Sequence, residues 1–184
     1  MTADAGGARP DRAGAPGPEA GTADGPPRLL GLGSDDAGYR LKMEVADLLD
    51  DLGVAYEDVG VASADPDASA DPVDYPDVAR VVAVGIRDGR FDRGILVCGT
   101  GIGMANAANK VAGVRAAQAH DTYSAERARR SNDAQVLTLG ARVIGPELAR
   151  SVVRAWLASE FAGGGSTRKV EKIARLEREL AERG

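Results

Sequence analysis

The sequence predicts an α/β protein, a parallel β-sheet with helices on both faces. Three observations lead there. Short apolar runs alternate with amphipathic stretches about five times between Arg28 and the C-terminus. The run Gly94-Ile-Leu-Val-Cys98 is nearly all apolar, as a strand covered on both faces must be. Glycines and polar residues gather just after the runs, where ligands bind in open parallel sheets.

The elements follow in order. Leu29-Leu30-Gly31-Leu32-Gly33 is a buried strand. Leu41, Val45, Leu48, Leu49 and Leu52 recur at helical spacing, and Gly53 ends that helix. Val54 to Val59 is a second strand, followed by a loop from Gly60 to Asp74 rich in Ala, Asp, Ser and Pro. Pro76 suits a first helical turn, and Val78, Val81, Val82 and Ile86 give that helix its core face. Arg93 to Cys98 is the third strand, Gly99 to Gly103 a glycine-rich turn and Met104 to Lys110 a short helix. Val114 to Ala119 and Ala134 to Gly140 are the fourth and fifth strands, separated by a helix from Asp121 to Arg130. Pro146 to Leu157 is a further helix. After Gly163-Gly164-Gly165, a charged amphipathic helix from Ser166 to Arg183 carries Val170, Ile173, Leu176 and Leu180. Strand–helix alternation of this kind is joined by right-handed crossovers.

Composition bounds the rest. The chain has 184 residues, 23 basic and 28 acidic, for a net charge of −5, which argues against a general nucleic-acid binder. One cysteine and one histidine exclude an internal disulfide and a Cys/His zinc site. No apolar run approaches a membrane span and no signal peptide is visible, so a cytoplasmic protein is expected. Residues 1–27 hold 18 Ala, Gly and Pro and no large apolar side chain beyond Met1. A segment that buries so little cannot offset its ordering entropy, so a disordered tail is expected, leaving 28–184 as one domain.

Cys98-Gly-Thr-Gly-Ile-Gly103 is the most informative stretch. A thiol at a strand end, before glycines and a helix, lies where a helix N-terminus favours the thiolate. Glycines let amides converge as an anion nest, and a base beside such a nest suits proton abstraction next to a carbonyl. A small buried cysteine on a tight turn accounts for the same residues equally well. The spacing is G-x-G-x-G, not the dinucleotide fingerprint, and neither a P-loop nor a nucleophile elbow is present. Asp35-Asp36 follows the first strand and offers a proton shuttle between substrate oxygens, or a helix cap. His120, beside Asp121 after the fourth strand, is a further candidate, with Asp121 able to orient its ring. Arg142, Arg168 and Lys169 are candidate phosphate contacts.

Gly33-Ser-Asp-Asp-Ala-Gly38, Asp74-Tyr75-Pro76, the Cys98 to Gly103 block, Ala107-Ala-Asn-Lys110, Gly113-Val-Arg115, Ser131-Asn-Asp133 and Gly140-Ala-Arg-Val-Ile-Gly145 follow one another in an order that resembles the ribose-5-phosphate isomerase type B family, which also holds the galactose-6-phosphate isomerase subunits. The resemblance spans Arg28 to the last helix. It implies a Rossmann-like three-layer α/β/α sandwich with a five-stranded parallel sheet. It implies aldose–ketose isomerisation through a cis-enediolate without metal or organic cofactor, by a homodimer or homotetramer whose active sites lie between subunits. By position, Cys98 would be the base, assisted by Thr100, with Asp35 and His120 also catalytic. Asp36, Tyr75, Gly99, Gly101, Ile102, Gly103, Asn132, Arg142 and Lys169 would contact substrate.

The departures are specific. The family's usual Asp-His pair is Asp35-Asp36 here, and its ring-opening histidine is Ser131. Two positions that often carry phosphate-binding arginines are Gly165 and Lys169. The wording around His120, His-Asp-Thr-Tyr-Ser-Ala-Glu-Arg-Ala, resembles the D-erythrulose-4-phosphate isomerase branch. A tetrose with phosphate on O4 cannot close a furanose ring, so such a substrate needs no ring-opening histidine. Against that, His120 could open a pentose ring, which keeps ribose 5-phosphate in view. Two other classes stay open: a non-catalytic nucleotide- or sugar-phosphate-binding module, and one subunit of a hetero-oligomeric hexose-6-phosphate isomerase.

Overall fold

The structure is a computed structural model that describes residues 27–65 and 73–183. The expected tail over 1–26, and part of the loop between Gly60 and Asp74, lie outside the described residues. The strands are β1 Leu30–Ser34, β2 Tyr56–Asp58, β3 Arg93–Cys98, β4 Ala116–Gln118 and β5 Val136–Gly140. The helices are α1 Tyr39–Asp51, α2 Tyr75–Arg87, α3 Ile102–Ala108, α4 Thr122–Asn132, α5 Pro146–Leu157 and α6 Thr167–Ala181, the last entered through a 3₁₀ turn at Gly164–Ser166.

All strand pairs are parallel, in the order β2-β1-β3-β5-β4. This is the Rossmann-like three-layer sandwich expected. Period-two alternation divides the strands between two cores. Leu30, Leu32, Ile95, Val97, Leu137 and Leu139 face α1, α4 and α5, where Trp156 is fully buried. Leu96, Cys98 and Val136 face α2 and α3, with Val78, Val82 and Met104. The edge strands are shorter than expected, three residues each, although single bonds continue past their ends, from Val59 N–H to the Leu32 carbonyl at 2.8 Å and from Ala119 N–H to the Thr138 carbonyl at 3.2 Å. α3 begins at Ile102 rather than Met104 because Gly101, at φ +80°, turns the chain directly into the helix. α2 starts after Asp74, whose N–H donates to Asp77 Oδ2 at 3.2 Å, with Pro76 in the first turn as expected.

Chain direction across the sheet reverses between β1 and β3, so a crevice opens outside their carboxyl ends. Close backbone packing shapes that end. A Cβ on Gly38 would lie 2.2 Å from the Val97 carbonyl oxygen, so only glycine lets the β1–α1 turn sit on the end of β3. The start of the β2–α2 loop is clamped by Lys42, only 1% exposed, whose Nζ meets Asp58 Oδ2 at 2.7 Å and the Val61 carbonyl at 2.7 Å.

Gly38→Ala is expected to lower unfolding free energy by roughly 1–3 kcal/mol, the usual penalty for overpacking. Urea denaturation beside the wild type checks this, and an unchanged midpoint would contradict the packing described.

Candidate active site

β3 ends at Cys98, on the carboxyl side of the sheet, and the turn that follows folds back over it. Cys98 is 4% exposed, and its Sγ accepts a hydrogen bond from the Gly101 N–H at 3.1 Å. An amide aimed at sulfur is a stronger partner for an anionic acceptor than for a neutral one. Thr100 Oγ1 accepts from the Ile102 N–H at 3.4 Å. The amides of Thr100 and Gly103 donate to no atom among the described residues. Gly103 carries the Tyr75 ring on its Cα, where an added Cβ would lie 2.6 Å from Cε2. Tyr75, Gly101, Ile102 and Gly103 therefore form one wall with Cys98, on the α2–α3 side.

The β5–α5 loop locks onto this turn. Ala141 N–H donates to the Cys98 carbonyl at 2.8 Å and Arg142 N–H to the Gly99 carbonyl at 2.9 Å. The Arg142 side chain lies along Gly99, 3.5 Å from where a Cβ would project. On the α1–α5 side a cleft of about 490 Å³ is lined by Asp36, Arg40, Glu44, Ala64, Ala141 and Arg142 among others. Cys98 does not line it, and the two sides meet at Ala141 and Arg142.

Asp35 is buried beside this junction, and its side chain accepts the Gly38 N–H at 2.9 Å. Burial pushes its carboxyl above the usual carboxylate range and Asp36 adds to the rise, while the Gly38 amide and the Arg142 charge pull it down. Neither aspartate is the helix N-cap, which is Gly38. His120 lies one strand over. Its Nε2 accepts the Gly140 N–H at 2.9 Å, and Gly140 is the register partner of Cys98. Nε2 is thereby occupied as an acceptor, which leaves Nδ1 as the protonated nitrogen of the neutral ring, and burial lowers the imidazole pKa despite Asp121. Asp121 does not orient His120 as expected. It caps α4 by accepting the Ser124 N–H at 2.7 Å, because the helix start has the stronger claim on its carboxylate.

Asn132 and Lys169 do not join these residues within one chain. Asn132 ends α4, just before β5, and the segment leading to α6 meets the end of α4, where Ala162 N–H donates to the Arg130 carbonyl at 3.1 Å. Cys98 is at the opposite end of the sheet, four residues along the Gly94↔Val136 to Cys98↔Gly140 register, a height of roughly 13 Å. The sequence reading missed Arg40, which lines the cleft from the first turn of α1. Its position just past the strand that borders the chain reversal was the available signal.

A Rossmann-like sheet thus carries a thiol, a buried carboxyl, an imidazole and an arginine at or just past the carboxyl ends of its strands, where proteins of this fold class bind small molecules. The chain belongs to the Ribose/Galactose Isomerase family, whose model matches residues 30–173. It is 55% identical over 148 residues to a D-erythrulose-4-phosphate isomerase of Pectobacterium atrosepticum, covering 80% of this chain and 94% of that one. It is 46% identical over 148 residues to a ribose-5-P isomerase B of Listeria innocua, covering 80% and 96%. A solved ribose-5-phosphate isomerase B from Clostridium thermocellum superposes with a TM-score of 0.77 at 43% identity, covering 83% of this chain and 99% of that one.

The histidine gives a pH prediction. A ring held neutral in the fold stabilises it fully above the unfolded-chain pKa of about 6.5, and that contribution is lost as pH falls toward the lower folded value. Wild type and His120→Gln are compared by denaturation at pH 8 and pH 5. The wild type should lose more stability on acidification than the variant, and parallel profiles would refute the assignment.

Proposed function

We propose that this protein interconverts an aldose phosphate and its ketose isomer through a cis-enediolate, with D-erythrulose 4-phosphate and D-erythrose 4-phosphate as the pair and Cys98 as the base. The observation that carries the reading is Cys98 Sγ fixed by the Gly101 amide inside a glycine turn, beside Asp35 and the Arg142 arm. The Cys98 thiolate takes the C1 proton of the ketose, the electron pair forms the C1=C2 double bond, and negative charge moves to O2. The amides of the Gly99 to Gly103 turn hold that charge, and Thr100 hydroxyl assists. Asp35, with a carboxyl raised toward neutrality, passes the proton between O2 and O1 as Cys98 returns its own to C2. The sum is redox-neutral and asks for no electron carrier. Tyr75, Ile102 and Gly103 wall the carbon chain, and Asp36 and Arg142 contact its polar end.

The four-carbon substrate is favoured by the 55% relative and by the ring argument: Ser131 stands where a ring opener would, and its hydroxyl is taken by Arg127 at 3.0 Å. His120 contributes Nδ1–H as a donor to substrate oxygen, since its Nε2 is engaged. Ribose 5-phosphate is the second reading, favoured by the Listeria relative.

Asn132 and Lys169 reach substrate only if a second copy supplies them, so the working unit is a homodimer or homotetramer with sites between subunits. α6 supports this. Among the described residues it buries none, and Ile173, Leu176 and Leu180 form an exposed apolar stripe. A free thiol and a phosphorylated substrate suit the cytoplasm, and no helix of the described residues is long and apolar enough to cross a membrane.

Cys98→Ala should lower turnover roughly 10²- to 10⁴-fold, the range for removing a general base, with far-UV circular dichroism unchanged. The assay offers erythrulose 4-phosphate, ribose 5-phosphate and allose 6-phosphate side by side, and no turnover of any would overturn the function. Shared sites give a second expectation. Cys98→Ala and Asn132→Ala are each inactive alone, but after mixing and subunit exchange mixed dimers hold one intact site, restoring about a quarter of wild-type activity. A mixture that stays inactive would place Asn132 outside the site.

A further inference from the structure

We infer that Arg40 is a substrate-binding residue that, with Arg142, clamps the phosphate of the sugar in the cleft between α1 and α5, and so sets the preference for phosphorylated substrates. The inference rests on the isomerase reading and deepens it. Arg40 and Arg142 both line the 490 Å³ cleft, Arg40 from the first turn of α1 and Arg142 from the β5–α5 loop. Most arginines near the sheet are already paired: Arg93 and Arg129 with Glu160, Arg115 with Asp133, Arg150 with Asp51. Arg40 and Arg142 form no ion pair among the described residues, although Asp36 and Glu44 line the same cleft. Two guanidinium groups left without carboxylates across one concavity suit a multivalent anion, which takes a fork of N–H donors from each side.

Position ties this anion to the reaction. The Arg142 stem runs along Gly99, the residue after Cys98, and Ala141 is bonded to the Cys98 carbonyl. A short chain with its reacting carbons at Cys98 and its far end past Gly99 enters the cleft there. The walls are fixed: Arg142 is held by its own amide to the Gly99 carbonyl, and α1 by Gly38 against β3. α1 carries no acidic residue in its first turn, and the two carboxylates of the cleft, Asp36 before the helix and Glu44 within it, form no ion pair with Arg40. Glu44, one turn further along α1, bounds the cleft at its outer side and disfavours anions that extend beyond it.

Arg40 is exposed, so its replacement leaves the fold intact. The test compares wild type, Arg40→Gln, Arg40→Lys and, as a control away from the cleft, Arg154→Gln. Steady-state kinetics on erythrulose 4-phosphate should show KM raised about 10- to 100-fold in Arg40→Gln with kcat within a few-fold, as for loss of a charged hydrogen bond made equally in ground and transition states. Inorganic phosphate, titrated calorimetrically and as a competitive inhibitor, should weaken by a similar factor, with Arg40→Lys in between and Arg154→Gln like the wild type. Unchanged KM and phosphate affinity in Arg40→Gln would overturn the inference while leaving the isomerase reading in place. Absence of turnover in the wild type would overturn the isomerase reading, and the phosphate titration would still decide whether Arg40 holds the anion.

Discussion

The end of β3 is the point on which the site depends. Three backbones converge there at distances that exclude side chains. Gly38 sits on the Val97 carbonyl, Gly140 faces the Thr100 backbone with an added Cβ 2.7 Å from its carbonyl oxygen, and Gly101 lies against Leu139. Two hydrogen bonds from the β5–α5 loop, to the carbonyls of Cys98 and Gly99, close the knot. Rigidity follows from this packing. The Gly101 amide and the root of Arg142 are held by main chain, and the Cys98 sulfur, one rotatable bond from it, is held by the Gly101 amide, so little side-chain freedom is left there to lose.

The same topology that builds this knot keeps two of the candidate residues apart. α4 carries its first residues to the carboxyl end of the sheet and its last to the amino end, so His120 and Asn132 cannot meet in one copy. The amino end has its own charged web, in which Arg93 and Arg129 share Glu160, and Arg115 and Arg129 share Asp133. Arg93 also lies over the Trp156 ring at 5.6 Å. That web stiffens the surface from which Asn132 and the start of α6 project. The apolar stripe of Ile173, Leu176 and Leu180 on α6 is the surface that the proposed second copy would cover.

Much of the fold was legible because its signals were local. Ile95, Leu96, Val97 and Cys98 had to be doubly covered, and every strand and helix read from the sequence is present. The misreadings were at edges: β2 and β4 shrink to three residues because ladder length depends on the neighbour, which a single run does not encode. The site was half legible. Cys98, Asp35 and Arg142 fall at strand ends where pattern alone puts them. The partner of His120 was not legible, because the Gly140 amide reaches it from a strand twenty residues away. Arg40 was overlooked because an arginine on a helix face is usually solvated, and only the cleft distinguishes it.

Asp35 carries a cost in stability that its part in the turn does not require. Its carboxyl is buried, stands beside Asp36, has no ion-pair partner among the described residues, and titrates above its ordinary range. For a carboxyl raised in the fold, the stabilising side is acid: the folded state holds the proton more tightly, and that advantage fades as pH climbs through the folded value. At neutral pH the ionised form is therefore a burden, and an asparagine would keep the Gly38 bond without it. Under the isomerase reading, that cost is the counterpart of the proton-passing role proposed for Asp35. In a reaction that must move a proton between two neighbouring oxygens, a carboxyl shifted toward neutrality by its surroundings is the group that gives and takes most readily.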